Sequence, residues 1–554
     1  MESSSEHTTV SGLKIIKRLD NRLNLMNKRT YNFQQGAQVS FYTEFNNQSA
    51  TVGTNVNINC NPSTSAHVVS RDARKVATFQ VVINGTTTDG SNLLKANYHA
   101  PAQFPIASIT QSESITIGQS TVTQNNVNVN FRALQRYDNE PLTNNYINST
   151  TPSMLDQGQT FAELSGSSRD VFSEYGDNVL NTPRGAHPSY VVVSNTPTQA
   201  VVRFTCNEAL TLAPFVMGDA SYITPGFAGI STITFSAIFG DLSLCWSAIQ
   251  AQDGTSNITS VNATVVSFAL GLTFLQPHRN VEVPRHQVMS YYRPDLVSTR
   301  LGSPLAPGAS TPMPPATIDF QGIPSRVYIW CDEDVGNYSP FKPHTFLTAR
   351  DGVGSLQVTA NGTPSVQTLT RDQLYLLSRH NGINMDYSQF VKHCGSVIAL
   401  NPGADINLNL DQAPGVSQRV SFNFNYSVTN TGSYTYLNPV MHVLIIYSGM
   451  FEINDGVASW SLNPLLPSEV ASAPLDLTFN PNKITQDIWG GNILQRMKDA
   501  FQSAAQFAKR TGIISKGAML LGQPEVAAVA RSLGYGITGG AHVSGGRINR
   551  RQLS

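Results

Sequence analysis

Val420-Ser421-Phe422-Asn423-Phe424-Asn425-Tyr426-Ser427-Val428 places an apolar side chain at every second position over nine residues. Successive side chains of a β-strand point to opposite faces, so this is a strand with one dry face and one wet face. The same alternation reads in Val39–Phe41–Phe45 and in Val127–Val129–Phe131. Working outward, strand-like runs fall at about 36–46, 55–60, 76–84, 113–123, 127–134, 189–195, 200–206, 230–239 and 264–275. The polar stretch Gln276–Pro284 then interrupts them. A second set follows at about 286–293, 326–331, 355–359, 394–400, 405–409, 418–428, 440–448 and 457–461. Between these runs, Thr370 to His380 reads as one helix, with Thr370 and Gln373 as a capping-box pair and Gly382 just past its end. The proline-rich stretch 302–317 reads as a loop.

Two sets of eight or so strands on either side of one linker predict an all-β chain of two tandem eight-stranded jelly rolls. The expected layout is a basic amphipathic arm over 1–30, a first jelly roll over 31–280, a second over 281–480, and a basic, helical and glycine-rich tail over 481–554. The arm carries Leu13, Ile16, Leu19, Leu23 and Met26 at helical spacing. In the tail, Leu494, Met497 and Phe501 line one helix face, flanked by Lys498, Lys509 and Arg510.

Composition narrows the function. Lys+Arg and Asp+Glu balance at 36 each, so the chain as a whole is not a nucleic-acid binder by charge. Only 13% of residues are charged, and the loops are rich in Asn, Ser, Thr and Pro, which suits surfaces that pack against copies of themselves. Cations collect at the two ends instead. The five cysteines are odd in number and scattered in or beside apolar runs, which predicts buried free thiols and assembly in a reducing compartment of a host cell. No run has the length of a transmembrane helix.

Few motifs carry chemistry. Gly534-Tyr535-Gly536-Ile537-Thr538-Gly539 spells a dinucleotide fingerprint, but no strand precedes it and only 15 residues follow. Asp332-Glu333-Asp334 has no calcium-loop spacing and reads as a solvated turn after a strand. His442 interrupts the apolar run Val440–Tyr447 and reads as a core histidine. No catalytic, cofactor-binding or metal-binding residues are expected. Ile488-Trp489-Gly490-Gly491 and Ile537-Thr538-Gly539-Gly540 resemble the sites cut by adenovirus-type cysteine proteases. The candidate cuts lie between Gly491 and Asn492 and between Gly540 and Ala541, with Gly490 and Gly539 letting the segment lie flat in a groove. Flexible glycine linkers are the plain alternative. The helix of Leu494 and Phe501 is a candidate for membrane contact once freed, or for packing under a shell.

Beyond these patterns, short stretches resemble the double jelly-roll major capsid proteins of small eukaryotic DNA viruses. That polinton-like and adintovirus-like group is related more distantly to adenovirus hexon and the poxvirus scaffold protein. The stretches are Ile323–Trp330, Asp372–Tyr375 with Asn381-Gly382, Gly395–Leu400 running into Asp405–Leu408, and Ala413-Pro414-Gly415. In the first half they are Thr151–Asp156 and Pro183–Ala186. The resemblance spans about 30–480 and transfers no catalytic site. It implies a homotrimer whose six upright barrels form a pseudo-hexagonal block of an icosahedral virion. Minor or penton capsid proteins would be its partners, and the basic ends would meet the genome or a membrane. Two alternatives stand beside it: a single-jelly-roll capsid protein with a projecting insertion, and a carbohydrate-binding β-sandwich protein.

Overall fold

The computed structural model describes most of residues 41–134, 190–275 and 286–472, together with Thr9–Val10 and Leu13–Lys14. The eight principal strands of the first half are β1 Phe41–Gln48, β2 Asn55–Cys60, β3 Val68–Thr87, β4 Thr110–Ile117, β5 Ser120–Asn125, β6 Gln199–Ala209, β7 Ile233–Phe239 and β8 Ser256–Leu275. They form two antiparallel sheets, ordered β1-β8-β3-β6 and β2-β7-β4-β5. The second half has β9 His286–Arg300, β10 Ala316–Phe320, β11 Arg326–Asp332, β12 Leu356–Ala360, β13 Thr363–Leu369, β14 Ile398–Leu400, β15 Val420–Thr429 and β16 Val440–Asn454. Its sheets are ordered β9-β16-β11-β14 and β10-β15-β12-β13. Adding eight to each label of the first half reproduces the second, so one jelly-roll topology is used twice.

Local chemistry sets these elements. β2 alternates exposed and buried residues along Asn55–Cys60, as a strand with one wet face must. In β15, the opening stretch buries Val420, Phe422, Phe424, Tyr426 and Val428. β16 is buried without a break from Val440 to Tyr447, because both of its faces are covered. The hairpin between β12 and β13 turns on Asn361-Gly362, both at positive φ. This is the turn chemistry whose twist matches the flanking strands. Helices of the chain include α1 Pro105–Ile109, α2 Val127–Leu134 and α3 Arg371–His380, and α3 has both hydrogen bonds of the Thr370/Gln373 capping box.

Four local readings are corrected. Residues 127–134 form a helix, α2 (Val127–Leu134), and not a strand. All eight of its residues are buried. Val127 and Phe131, four apart, pack with Phe104, Ala107 and Ala209, while Val129, Ala133 and Leu134 enter the main core. Full burial removes the wet face that would separate period two from period 3.6. Second, 405–409 is not a strand at its start: Pro402–Asp405 is a helical turn, with the Asn401 side chain accepting from the Gly403 N–H. Third, the proline-rich stretch is not wholly loop, since Ser310–Pro312 and the start of β10 both pair with β15. Fourth, Thr9–Val10 pairs with Leu13–Lys14 as a small antiparallel ladder, which places Leu13 in extended chain. The rest of the arm and the whole of 481–554 lie outside the described residues.

Candidate functional site

The feature that organises the molecule is the junction where the two jelly rolls meet. Aromatic packing starts it. The rings of Phe215 and Phe227 lie 5.3 Å apart, and Phe227 reaches Phe451 on β16 at 6.1 Å. Beside them, the Gln287 side chain of β9 accepts from the Ala228 N–H at 2.8 Å. The Ser120 hydroxyl donates to the Ala458 carbonyl at 2.5 Å, and the Ala248 N–H donates to the Pro340 carbonyl at 2.7 Å. Buried apolar side chains of both rolls belong to one continuous core.

The hairpin that follows β16 turns at Asp455-Gly456, again with both residues at positive φ. A Cβ on Gly456 would lie 2.8 Å from the Gly229 carbonyl oxygen of the first roll. Glycine is required here twice over, by its backbone conformation and by the closeness of the other roll.

An ionic node closes the same junction. Arg132, in the last turn of α2, lies 4.0 Å from the Asp332 carboxylate at the end of β11. Its guanidinium sits 4.5 Å above the Tyr338 ring, and the Tyr338 hydroxyl donates to Asp332 at 2.6 Å. Burial pushes the Asp332 carboxyl above its ordinary range, while Arg132, Tyr338 and the Glu333 N–H pull it back. Glu333 accepts from Lys342 at 3.2 Å and from the Leu437 N–H at 2.9 Å. Asp334 pairs with Arg300 and caps the turn at Gly336. The solvated-turn reading of Asp332-Glu333-Asp334 is therefore overturned, since all three are buried. The pattern of one strand could not reveal this, because Arg132 comes from two hundred residues earlier, as counted in the chain.

His442 is the core histidine its surroundings in the chain suggest. It is stacked on Trp330 at 5.2 Å, its Nδ1 lies 2.8 Å from the Ser298 hydroxyl, and burial lowers its pKa to about 3. Cys206, Cys245 and Cys331 are buried free thiols, Cys60 is buried as well, and Cys394 lies outside the described residues. Among the described residues, no group of three or more His, Cys, Asp or Glu side chains could hold a metal ion. Gly490, Gly491, Asn492, Gly539, Gly540 and Ala541 all lie outside the described residues, as do Leu494, Met497, Lys498, Phe501, Lys509 and Arg510.

Comparison with known proteins agrees with this architecture. A family model for the Sputnik virophage major capsid protein 1st domain matches residues 12–269, and one for the major capsid protein V20 C-terminal domain matches 294–449. Two jelly rolls in tandem, each matched by a capsid-protein domain, define the class: the chain is a double jelly-roll major capsid protein, a structural component of a virion and not an enzyme. Within that class its similarity runs to virophages. The putative capsid protein V20 of Sputnik virophage is 24% identical over an alignment of 588 positions, covering 98% of this chain and 97% of that protein. The fold is shared with the Sputnik virophage structure, at a TM-score of 0.71 and 23% identity over 87% of this chain and 99% of that one. It is shared also with the mavirus major capsid protein, at 0.59 and 14% over 85% and 100%.

Proposed function

We propose that three copies of this chain form a pseudo-hexagonal block, and that such blocks tile an icosahedral shell. The observation that carries this reading is the repetition of one strand order in two rolls joined through a single core. A rigid pair of like barrels is one two-barrel repeat, and three such pairs around an axis give six barrels in a near-hexagon. A loose junction would let the two barrels rock, and a lattice built from them would lose its register. The Pro-rich segment 301–317, which has no charged residue, and the Asn-rich segment 135–188 would supply surfaces that order against another copy. Minor or penton capsid proteins would fill the positions where six barrels do not fit. The cationic ends would face inward, toward genome phosphates or an anionic membrane.

Light scattering on the purified chain tests the assembly unit. A mass three times the 60.0 kDa chain is expected, with three-fold particles in negative stain. A monomer at every concentration and salt, with no particles, would overturn the trimer.

A further inference from the structure

Inside the first jelly roll, three ionisable side chains share one dry site. Lys75 lies on β3, Glu113 on β4 and Glu208 on β6, and none is more than 2% exposed. The Lys75 Nζ is 2.7 Å from a Glu113 carboxylate oxygen across the gap between the two sheets. Glu208 is the register partner of Lys75 on the neighbouring strand, so the two side chains leave the sheet side by side. Both oxygens of Glu208 are anchored, accepting from the Ile106 N–H at 2.7 Å and the Ala107 N–H at 3.0 Å. A buried ion pair of this kind is a poor way to add stability, because the cost of desolvating both charges offsets most of their attraction. The same geometry is a good way to bring a nucleophile and an acyl group together.

We propose that Lys75 and Glu113 condense into an isopeptide bond, with Glu208 as the acid–base residue. One proton passes along the contact from the Lys75 ammonium to the Glu113 carboxylate. The freed amine then adds to the Glu113 Cδ, forming the Nζ–Cδ bond. Glu208 takes a second proton from Nζ and delivers one to the departing hydroxyl. The Cδ–O bond breaks and one water leaves, so ammonium plus carboxylate become amide plus water, with no oxidant or co-reactant.

Three features favour the step. Holding the Lys75 nitrogen against the Glu113 carboxyl group favours their reaction, since effective concentrations reach roughly 10⁵–10⁸ M once such a pair takes a near-attack geometry. Burial, partly offset by Lys75 and the two backbone donors, raises the Glu208 pKa to about 7, which suits a group that must both accept and release a proton near neutrality. The surrounding core is largely apolar, with Ile106, Ile109, Ile115 and Leu210 all buried, so a neutral amide suits it better than an ion pair; the buried Gln124 Oε1 beside Glu113 is an unpaired acceptor. The product would be a covalent tie between the two sheets of a barrel.

Denaturing intact-mass spectrometry of the full chain tests the proposal, followed by tryptic mapping. The expected mass is one water below that of the sequence. A branched fragment should join the Lys75 and Glu113 peptides, with no cleavage after Lys75. Glu208→Gln should restore the full mass in protein that still assembles, and Lys75→Met should do the same. A full-length mass for the parent chain, or a water loss mapped to another pair, would overturn the link. Unchanged water loss in Glu208→Gln would overturn the role of Glu208.

Discussion

Single buried groups set the pH response of this protein. Glu208 binds its proton more tightly in the folded chain, its pKa rising from 4.5 to about 7 chiefly through burial. Its contribution is complete below pH 4.5 and is lost as pH rises toward 7, on the order of 3 kcal/mol across that window. His442 works in the opposite sense. Burial holds it neutral, with a pKa lowered from 6.5 to about 3, so its contribution is complete above pH 6.5 and is lost as pH falls, by roughly 5 kcal/mol down to pH 3. Between pH 4.5 and 6.5 the two slopes oppose each other. Urea unfolding at a series of pH values should show these two contributions offsetting each other in this window, with the raised Asp332 and Asp405 carboxyls adding a fall as pH rises. Glu208→Gln should make stability rise with pH there, and His442→Gln should make it fall. Identical slopes in all three proteins would contradict the assignment.

Elements show where local pattern suffices and where it does not. The capping box of α3 was legible from Thr370 and Gln373 alone, because a cap is satisfied within four residues. α2 was not legible as a helix, because a segment buried all round shows no polar face. One of its anchors is Phe131, whose ring meets Phe104 at 4.8 Å, edge to face, in a cluster beside the main core. Phe131→Ala is expected to lower stability by about 3–5 kcal/mol in chemical denaturation. A loss under 1 kcal/mol would argue that α2 is not anchored this way. The hairpin at Asp455-Gly456 is a second test. Gly456→Val combines a positive φ with a Cβ 2.8 Å from the Gly229 carbonyl, so it should cost at least about 1–3 kcal/mol and loosen the junction. Calorimetry should then show two transitions where the parent shows one. A single unshifted transition would mean that the hairpin does not lock the rolls together.

At the scale of the whole molecule, we propose that the tail is cut. The proposed cuts after Gly491 and Gly540 predict a shortened chain ending at Gly491 in mature particles, with the peptide 492–540 released. Mass spectrometry of purified particles checks this, and a tail intact to Ser554 would remove the processing proposal. The same peptide, whose spacing of Leu494, Met497 and Phe501 among Lys498, Lys509 and Arg510 would suit a membrane surface if helical, should leak dye from anionic vesicles. Phe501→Asp should abolish that leakage. A parent peptide that leaves vesicles intact would leave shell packing as the role of the helix.

Two tandem strand sets and their alternation were determined by the sequence, because each depends on residues close together in the chain. The jelly-roll architecture was legible at that level as well, and the capsid class through the resemblance carried by stretches such as Ile323–Trp330 and Gly395–Leu400. Only the tertiary structure decided the junction. Arg132 and Asp332 become partners, and Gly456 meets Gly229, because folding brings two separate rolls into one core. Burial of the Asp332-Glu333-Asp334 run and the meeting of Lys75, Glu113 and Glu208 are likewise consequences of sheets closing on each other. Hydrophobic periodicity is a local property of a strand. The environment of a charge depends on every element packed around it, and no local pattern encodes that.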